Sequence, residues 1–170
     1  GSNLSNLGPG IQYTDNAQKD PLPTVLRFGW SFDLDLDDAG INRITIANDI
    51  SKIMARTTPQ YTTNPDGSID TSRVAAGPIE ALAKSWSSFE RFDGQNTIEV
   101  GLMQQFMIGA GLEYWYADQF ALRGGYYYED PNNGDREYIT FGAGIRYSFI
   151  GVDFSYIKTL ESDHPLANTL

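Results

Sequence analysis

Few residues in this chain have the types and spacing that chemistry at a site requires. His164 is the only histidine, and the 170 residues include no cysteine. Metal sites and catalytic triads need several such side chains at defined spacings, so we expect no metal, no cofactor and no catalytic residue. The segment NPDGSIDTS at 64–72 lacks the ligand spacing of a calcium loop, and its composition predicts a turn.

The tripeptide Gly-Ala-Gly occurs twice, at 109–111 and 142–144. A dinucleotide-binding loop needs a third glycine and a helix that starts at the loop, and neither copy continues in that way. Two glycines on the same face of a strand instead let a neighbouring backbone, a plug or a ligand approach closely. We therefore interpret both copies as positions within strands.

Charged side chains alternate with apolar ones in several segments. They are Arg27, Asp33, Arg43, Asp49, Glu113, Arg123, Arg146 and Asp153. In a soluble sheet such residues form the solvated face, whereas in a membrane barrel they face the lumen, where mixed signs indicate ion pairs across the interior. The net charge is -10, with 12 basic and 22 acidic residues. Since nucleic-acid binding needs a basic surface, no nucleic-acid partner is expected.

Alternation with a period of two residues is the main structural signal. It predicts strands at 22–35, 41–54, 100–116, 119–129, 136–148 and 151–159. About ten residues suffice for a tilted strand to cross a bilayer. Short turns alternate with long polar connections, as in outer-membrane barrels with periplasmic turns and extracellular loops. The fold class predicted is an all-β, antiparallel up-and-down transmembrane barrel, located in the outer membrane.

Aromatic residues near the strand ends favour the same fold. The stretch EYWYADQFALRGGYYYED at 113–130 contains seven of them. Tyrosine and tryptophan rings form girdles at membrane–water interfaces, whereas a soluble core would contain more leucine and valine. A soluble β-sandwich, which would extract from cells without detergent, stays open as an alternative.

Long polar connections are predicted to be extracellular loops at 8–21, 55–99, 130–136 and 160–166. Within 55–99, apolar residues at helical spacing predict one amphipathic helix near 78–90, and Pro78 suits a first helical position. Because interfaces favour apolar and aromatic anchors, the candidate binding residues of this segment are Tyr61, Ile79, Trp86, Phe89 and Phe92.

The stretch from Leu112 to Leu170 resembles the C-terminal part of the PorV-type outer-membrane proteins of type IX secretion, a FadL-like barrel family. The motifs are EYWY at 113–116, DFSY at 153–156 and the final PLANTL; the upstream SNLGPGIQYTD, LPTVLRFGWSFDL and ITIANDISKIM also resemble this family. The resemblance implies a barrel of roughly fourteen strands, with residues 1–170 as the C-terminal part, about half, of that single domain. Both ends are interpreted as cut from a longer protein.

The resemblance also implies a function. Such proteins are non-enzymatic receptors and shuttles that bind the C-terminal signal domain of secreted cargo and deliver it to the surface sortase and attachment complex. The partners implied are cargo, translocon and attachment-complex subunits, and outer-membrane lipid. Two other functions are open: a FadL-type transporter of hydrophobic small molecules, and lipopolysaccharide deacylation, for which no nucleophile–base pair is evident in the sequence.

Overall fold

A computed structural model describes residues 1–12, 19–92 and 95–160, apart from the side chains at 58–62, 70–73 and 92. The strands are β1 (Ser2–Ser5), β2 (Val25–Asp35), β3 (Asn42–Ile53), β4 (Thr57–Thr63), β5 (Ile69–Ala75), β6 (Phe89–Phe92), β7 (Thr97–Val100), β8 (Phe106–Tyr116), β9 (Phe120–Tyr128), β10 (Glu137–Tyr147) and β11 (Ile150–Thr159). The helix α1 spans Pro78–Lys84, and a 3-10 turn spans Met103–Gln105.

Among the described residues, seven strands form the main sheet in the order β1-β2-β3-β8-β9-β10-β11. Neighbours from β8 to β11 pair antiparallel, as in a meander. The predicted all-β fold with one short helix is confirmed. It is consistent with a barrel-like architecture, and the sheet of the described residues is open. Within those residues, no helix has both the length and the apolar character needed to cross a membrane.

The predicted strands agree with β2, β3 and β8 to β11, with one error at the start of β8. We predicted a single strand from residue 100, but β7 ends at Val100 and β8 begins at Phe106. Gly101 and the 3-10 turn separate them, because a glycine weakens a strand interior. The predicted loop 160–166, apart from Leu160, and His164 lie outside the described residues.

The segment between β3 and β8 has more regular structure than predicted. Two antiparallel hairpins, β4–β5 and β6–β7, accompany the helix. The helix begins at Pro78 as predicted but ends at Lys84 rather than near 90, and Phe89 lies in β6. Ser85 and Ser87 end it: their hydroxyls donate to the carbonyls of Ala81 and Lys84 at 2.6 and 2.8 Å. Such local bonds compete with continuation of a helix.

The chain divides into two compact units. The first contains Gly1, Phe28–Ile50 and Gln104–Leu170, and the second contains Ser2–Arg27 and Ser51–Met103. In the second unit, Met54 and Val100 are almost fully buried. Most of the central sheet lies in the first unit, and its two faces differ in chemistry.

One face of the first unit is apolar and exposed. Its residues are between 38% and 64% exposed, and they include Phe28, Trp30, Phe32, Leu34, Ile46, Leu112, Phe120, Leu122, Phe141, Ile145, Val152 and Phe154. Single exposed apolar residues are normal on soluble proteins, but a contiguous face of this size marks an interface with membrane or protein.

The short turns of the first unit are joined to one another. The Ala117 N–H donates to the Ile41 carbonyl, and the Arg146 N–H donates to the Gln119 carbonyl, both at 2.7 Å. Arg43 also pairs with Asp118 in the next turn at 3.1 Å. The turns after β2, β8 and β10 therefore lie at the same end of the sheet.

Candidate functional site

Four charged side chains on the face opposite the apolar one form a continuous set of ion pairs across β8 to β11. The Arg123 guanidinium lies 2.5 Å from Glu113 Oε2 and 2.8 Å from Asp153 Oδ1. Arg146 Nη2 donates to the other oxygen of Asp153 at 2.6 Å. The Trp115 ring lies 5.5 and 5.8 Å from the two guanidinium carbons. We name these four charged residues the charge ladder; because their charges compensate, they form no ring of a single sign.

The glycines of both Gly-Ala-Gly motifs make room for charged side chains. A Cβ at Gly144 would lie 2.6 Å from Asp153 Oδ1 and 2.9 Å from Arg123 Nη1. A Cβ at Gly109 would lie 2.6 Å from Asp49 Oδ2. The close approach expected at these strand glycines is therefore made by side chains of neighbouring strands.

A depression of about 460 Å³ lies on the same face. Gly111 and Gly125 pair with each other across β8 and β9 and form its floor. The stacked rings of Tyr127 and Tyr138, with centroids 4.9 Å apart, line one side. Asp49, Glu113, Arg123, Thr45 and Thr140 are also among its lining residues.

The loop between β9 and β10 is held by a buried carboxylate. Glu129 is only 2% exposed and accepts hydrogen bonds from Arg136 Nε and Nη2 at 2.8 and 2.6 Å. The Tyr127 hydroxyl donates to the same carboxylate. A Cβ at Gly134 would overlap Glu129 Oε2 and lie 2.8 Å from its carboxyl carbon. We name Tyr127, Glu129, Gly134 and Arg136 the loop latch.

Charge as well as shape stabilises the loop latch. The hydrogen bond to Glu129 raises the pKa of Arg136 above its ordinary value, so the contact stabilises the charged guanidinium. Asp130 holds the rest of the loop, because its carboxylate accepts the Asn132 N–H at 2.9 Å and its carbonyl accepts the Asn133 N–H at 2.8 Å. The predicted loop 130–136 is therefore a fixed structure.

Arg56 organises the segment after β3 in the second unit. Its Nη1 donates to the Ala55 carbonyl at 3.1 Å, and its Nη2 donates to the carbonyls of Ser85 and Ser87 at 3.3 and 3.4 Å. Its guanidinium carbon lies 4.5 Å from the Phe89 ring centroid, a cation–π contact. Burial lowers the pKa of Arg56, but arginine stays charged at neutral pH.

The contacts of Arg56 fix the end of helix α1. Carbonyls at a helix C-terminus lack intrahelical partners and carry negative partial charge, so a guanidinium there is stabilising. At the other end Pro78 occupies the first turn, and the Ala81 N–H donates to the Gly77 carbonyl at 2.8 Å. Glu80 and Lys84 form a 2.7 Å ion pair one turn apart. The helix therefore has fixed ends although it has only seven residues.

Two large apolar side chains of this segment point to solvent. Ile79 is 83% exposed and Trp86 is 49% exposed, although their backbone is held at both ends of the helix. Phe89 is only partly exposed, because it contacts Arg56. Tyr61 lies in β4 and Phe92 in β6, and their side chains lie outside the described part of the chain.

The predicted charged residues are distributed over several contacts. Glu113, Arg123, Arg146 and Asp153 form the charge ladder described above. Arg43 pairs with Asp118, and Asp33 accepts a 2.6 Å hydrogen bond from Thr45. Arg27 lies exposed in β2. That this face lines a lumen stays a prediction.

Sequence reasoning missed Arg56 as an organising residue, and it also missed the loop latch. The latch carries a local signal, because Glu129 and Arg136 flank the turn residues PNNGD. Arg56 has no such signal, since the carbonyls it bonds belong to residues 29 and 31 positions away.

The model of the family described as type IX secretion system protein PorV matches residues 1–60. The match covers the three upstream motifs of the resemblance and not the stretch from Leu112 onward. It supports the PorV-type identification and a role as an outer-membrane component of type IX secretion. None of the curated proteins matches the chain. The FadL-like barrel and the C-terminal position of the chain in it stay predictions.

Proposed function

We propose that this PorV-type chain binds secreted cargo through the segment 55–99 and passes it to the surface attachment complex. The cargo element recognised is its C-terminal signal domain. The long connections of the sheet are extracellular, and the short turns are periplasmic. In this arrangement the strands cross the outer membrane and hold the binding segment outside the cell.

The observation that carries this proposal is the exposure of Ile79 and Trp86 on a fixed backbone. A backbone that is already fixed needs less ordering when a partner covers its apolar side chains, which favours binding. Tryptophan is among the residues most enriched in the energetic centres of protein interfaces. Arg56 contributes indirectly, because it holds the backbone that carries Trp86.

We infer a non-enzymatic role from the polar groups that lie together. The charge ladder and the loop latch are each compensated by direct ion pairs. A catalytic group needs a nucleophile beside a base, or a carboxyl poised near the working pH. The charged groups of both sets are bonded to each other, which supports a structural role for them.

The test compares a double variant with a single control variant of the full-length protein in its own membrane. Replacing Ile79 and Trp86 with serine should lower the amount of co-purified cargo by about tenfold or more, as expected for loss of a central anchor. Phe149→Ser is the matched control, because Phe149 is 93% exposed in a short turn. It should leave cargo binding unchanged.

Deletion of residues 60–95 extends the same test to the whole segment. The barrel should still insert into the membrane, and cargo should no longer co-purify. Full cargo binding by both the double variant and the deletion would overturn the proposal, because no candidate anchor of this segment would then contribute.

A FadL-type transporter is the second candidate, and the depression over Gly111 and Gly125 favours it. The glycine floor and the tyrosine rings offer apolar contact, whereas Asp49 and Glu113 oppose a hydrophobic guest. Lipid or detergent found in the depression of the purified protein, with displacement after Gly111→Leu, would support transport. An empty or water-filled depression would exclude it.

A further inference from the structure

The hairpin β4–β5 has two backbone edges, and its hydrogen bonds show which groups lie on each. The Asn64 N–H donates to the Ser68 carbonyl at 2.8 Å, and the Ala76 N–H donates to the Arg56 carbonyl at 2.9 Å. In an antiparallel pair, hydrogen-bonded and outward positions alternate. With the register Thr57↔Ala75 to Thr63↔Ile69, the odd-numbered residues of both strands therefore direct their backbone N–H and C=O groups outward.

The outer edge of β4 is defended against further pairing. Pro59 is one of its outward residues, opposite Arg73. Proline has no N–H, so a strand added at this edge would lack a hydrogen-bond donor at its centre. Prolines at such positions are one of the ways in which proteins prevent edge pairing.

The outer edge of β5 has no proline. Its outward residues Ile69, Thr71 and Arg73 each have an N–H and a C=O. The edge continues to Ala75, whose N–H donates to the Lys19 carbonyl at 3.3 Å. The last outward N–H of this edge is therefore already used by this chain, and the candidate edge is Ile69–Arg73.

Among the described residues the β4–β5 sheet has only these two strands. A two-stranded hairpin is marginally stable alone, and a third strand adds hydrogen bonds and packing. Ile69, at the start of the edge, is 64% exposed, so an added strand could cover it. Addition of an extended segment to a sheet edge is a general mode of peptide recognition, in which main-chain bonds supply affinity.

We propose that the edge Ile69–Arg73 of β5 receives an extended segment of the secreted cargo as a third strand. This inference rests on the proposed function and assigns a second contact within the same binding segment, separate from Ile79 and Trp86. Because main-chain groups make the bonds, this contact tolerates different side-chain sequences in the cargo strand.

The test uses two proline substitutions in the full-length protein in detergent micelles, with the purified C-terminal signal domain of a secreted protein as probe. Thr71→Pro removes the central outward N–H of the β5 edge and leaves the β4–β5 ladder intact. The loss of that bond should weaken binding of the domain by about tenfold. Thr63→Pro is the matched control, since it removes an outward N–H from the β4 edge, and its binding should stay within about twofold of the parent.

Amide hydrogen exchange gives a second readout. In the complex, the amides of Ile69, Thr71 and Arg73 should become protected, because they would donate to the cargo strand. Equal binding by the Thr71→Pro and Thr63→Pro variants, with no new protection at these amides, would overturn the edge proposal. If the Ile79/Trp86 double variant still lost binding, the receptor function would stand without the edge. If the parent protein failed to bind the domain at all, the proposed function would fail, and the edge proposal with it.

Discussion

Gly134 lies against the carboxylate of Glu129, which hydrogen bonds hold in place. A Cβ added there would overlap Glu129 Oε2, and the two bonds from Arg136 hold that carboxylate in place. Gly134→Ala must therefore either break the ion pair between the buried Glu129 and the half-exposed Arg136 or distort the loop. We expect it to lower the free energy of unfolding by roughly 3 kcal/mol, measured by denaturant unfolding of the full-length protein in lipid vesicles.

Gly124 is the matched control for Gly134. A Cβ built at Gly124 meets no atom within 4 Å. Gly124→Ala should leave stability unchanged or raise it, within about 1 kcal/mol. If both variants lost the same stability, the glycine requirement at 134 would not come from the loop latch.

Asp37 makes the first turn of the sheet dependent on pH. Its carboxylate accepts hydrogen bonds from the Ile41 N–H at 2.9 Å and from the Asn42 N–H and side-chain amide, both at 2.7 Å. The backbone bond from Ile41, followed by the side-chain bond from Asn42, holds the pKa of Asp37 below its usual value. A carboxyl with a lowered folded pKa stabilises the fold above its unfolded pKa, about 4, and this contribution is lost as pH falls through the folded value.

Asp37→Asn should consequently flatten the acid dependence of stability. Between about pH 6 and pH 3 the variant should lose less free energy of unfolding than the parent, since the group that takes up the proton is absent. Asp38→Asn is the control, because Asp38 lies exposed in the same turn. An acid limb that is identical in the parent and the Asp37→Asn variant would contradict the assignment.

At the scale of elements, the turn between β8 and β9 carries backbone strain. Ala117 and Asp118 have φ values of 52° and 53°, and two successive positive values are typical of a tight hairpin turn. Alanine is disfavoured there and glycine is not. Ala117→Gly should therefore stabilise the protein by about 0.5–1 kcal/mol, as read from equilibrium unfolding.

The control for Ala117→Gly is a substitution of alanine by glycine within a regular strand. Ala121 is 2% exposed in β9, and Ala121→Gly should destabilise the protein by about 1 kcal/mol. Loss of stability in both variants would indicate that position 117 has no strain to release.

The sequence predicts an element well when the residues of that element determine it, and poorly when contacts with other residues do. Period-two alternation suffices for β2, β3 and β8 to β11, because an amphipathic strand shows its two faces in its own residues. The segment 85–89 was misassigned, since Trp86 and Phe89 continue the helical spacing while the hydroxyls of Ser85 and Ser87 end the helix. A serine hydroxyl bonded to a carbonyl gives only a weak sequence signal.

The sequence identified some residues of the candidate site but not the contacts that they make. The exposed anchors Ile79 and Trp86 were named from the sequence, and their role is still a prediction. Arg56 was not named, because the carbonyls that it bonds are brought to it by the fold. The glycines of the second Gly-Ala-Gly motif gave the opposite case: their spacing indicated a close approach, but only the structure shows that Arg123 and Asp153 make it.

At the scale of the whole molecule, the exposed apolar face allows a test of whether these strands lie in a membrane. Phe141 is 55% exposed near the middle of β10, and Tyr147 is 75% exposed at its end. A charge on a lipid-facing strand is most unfavourable at the bilayer midplane and least at the interface. A charge on a water-exposed sheet would be nearly neutral at both positions.

Phe141→Arg should therefore lower the free energy of unfolding by about 2–4 kcal/mol in lipid vesicles, and Tyr147→Arg by only about 0–1 kcal/mol. Both substitutions place the same side chain on the same strand and the same face, so depth is the variable that differs. The measurement is reversible denaturant unfolding of the full-length protein reconstituted in bilayers. Equal and small effects at the two positions would mean that water, or another protein, covers this face, and the outer-membrane placement of these strands would have to be abandoned.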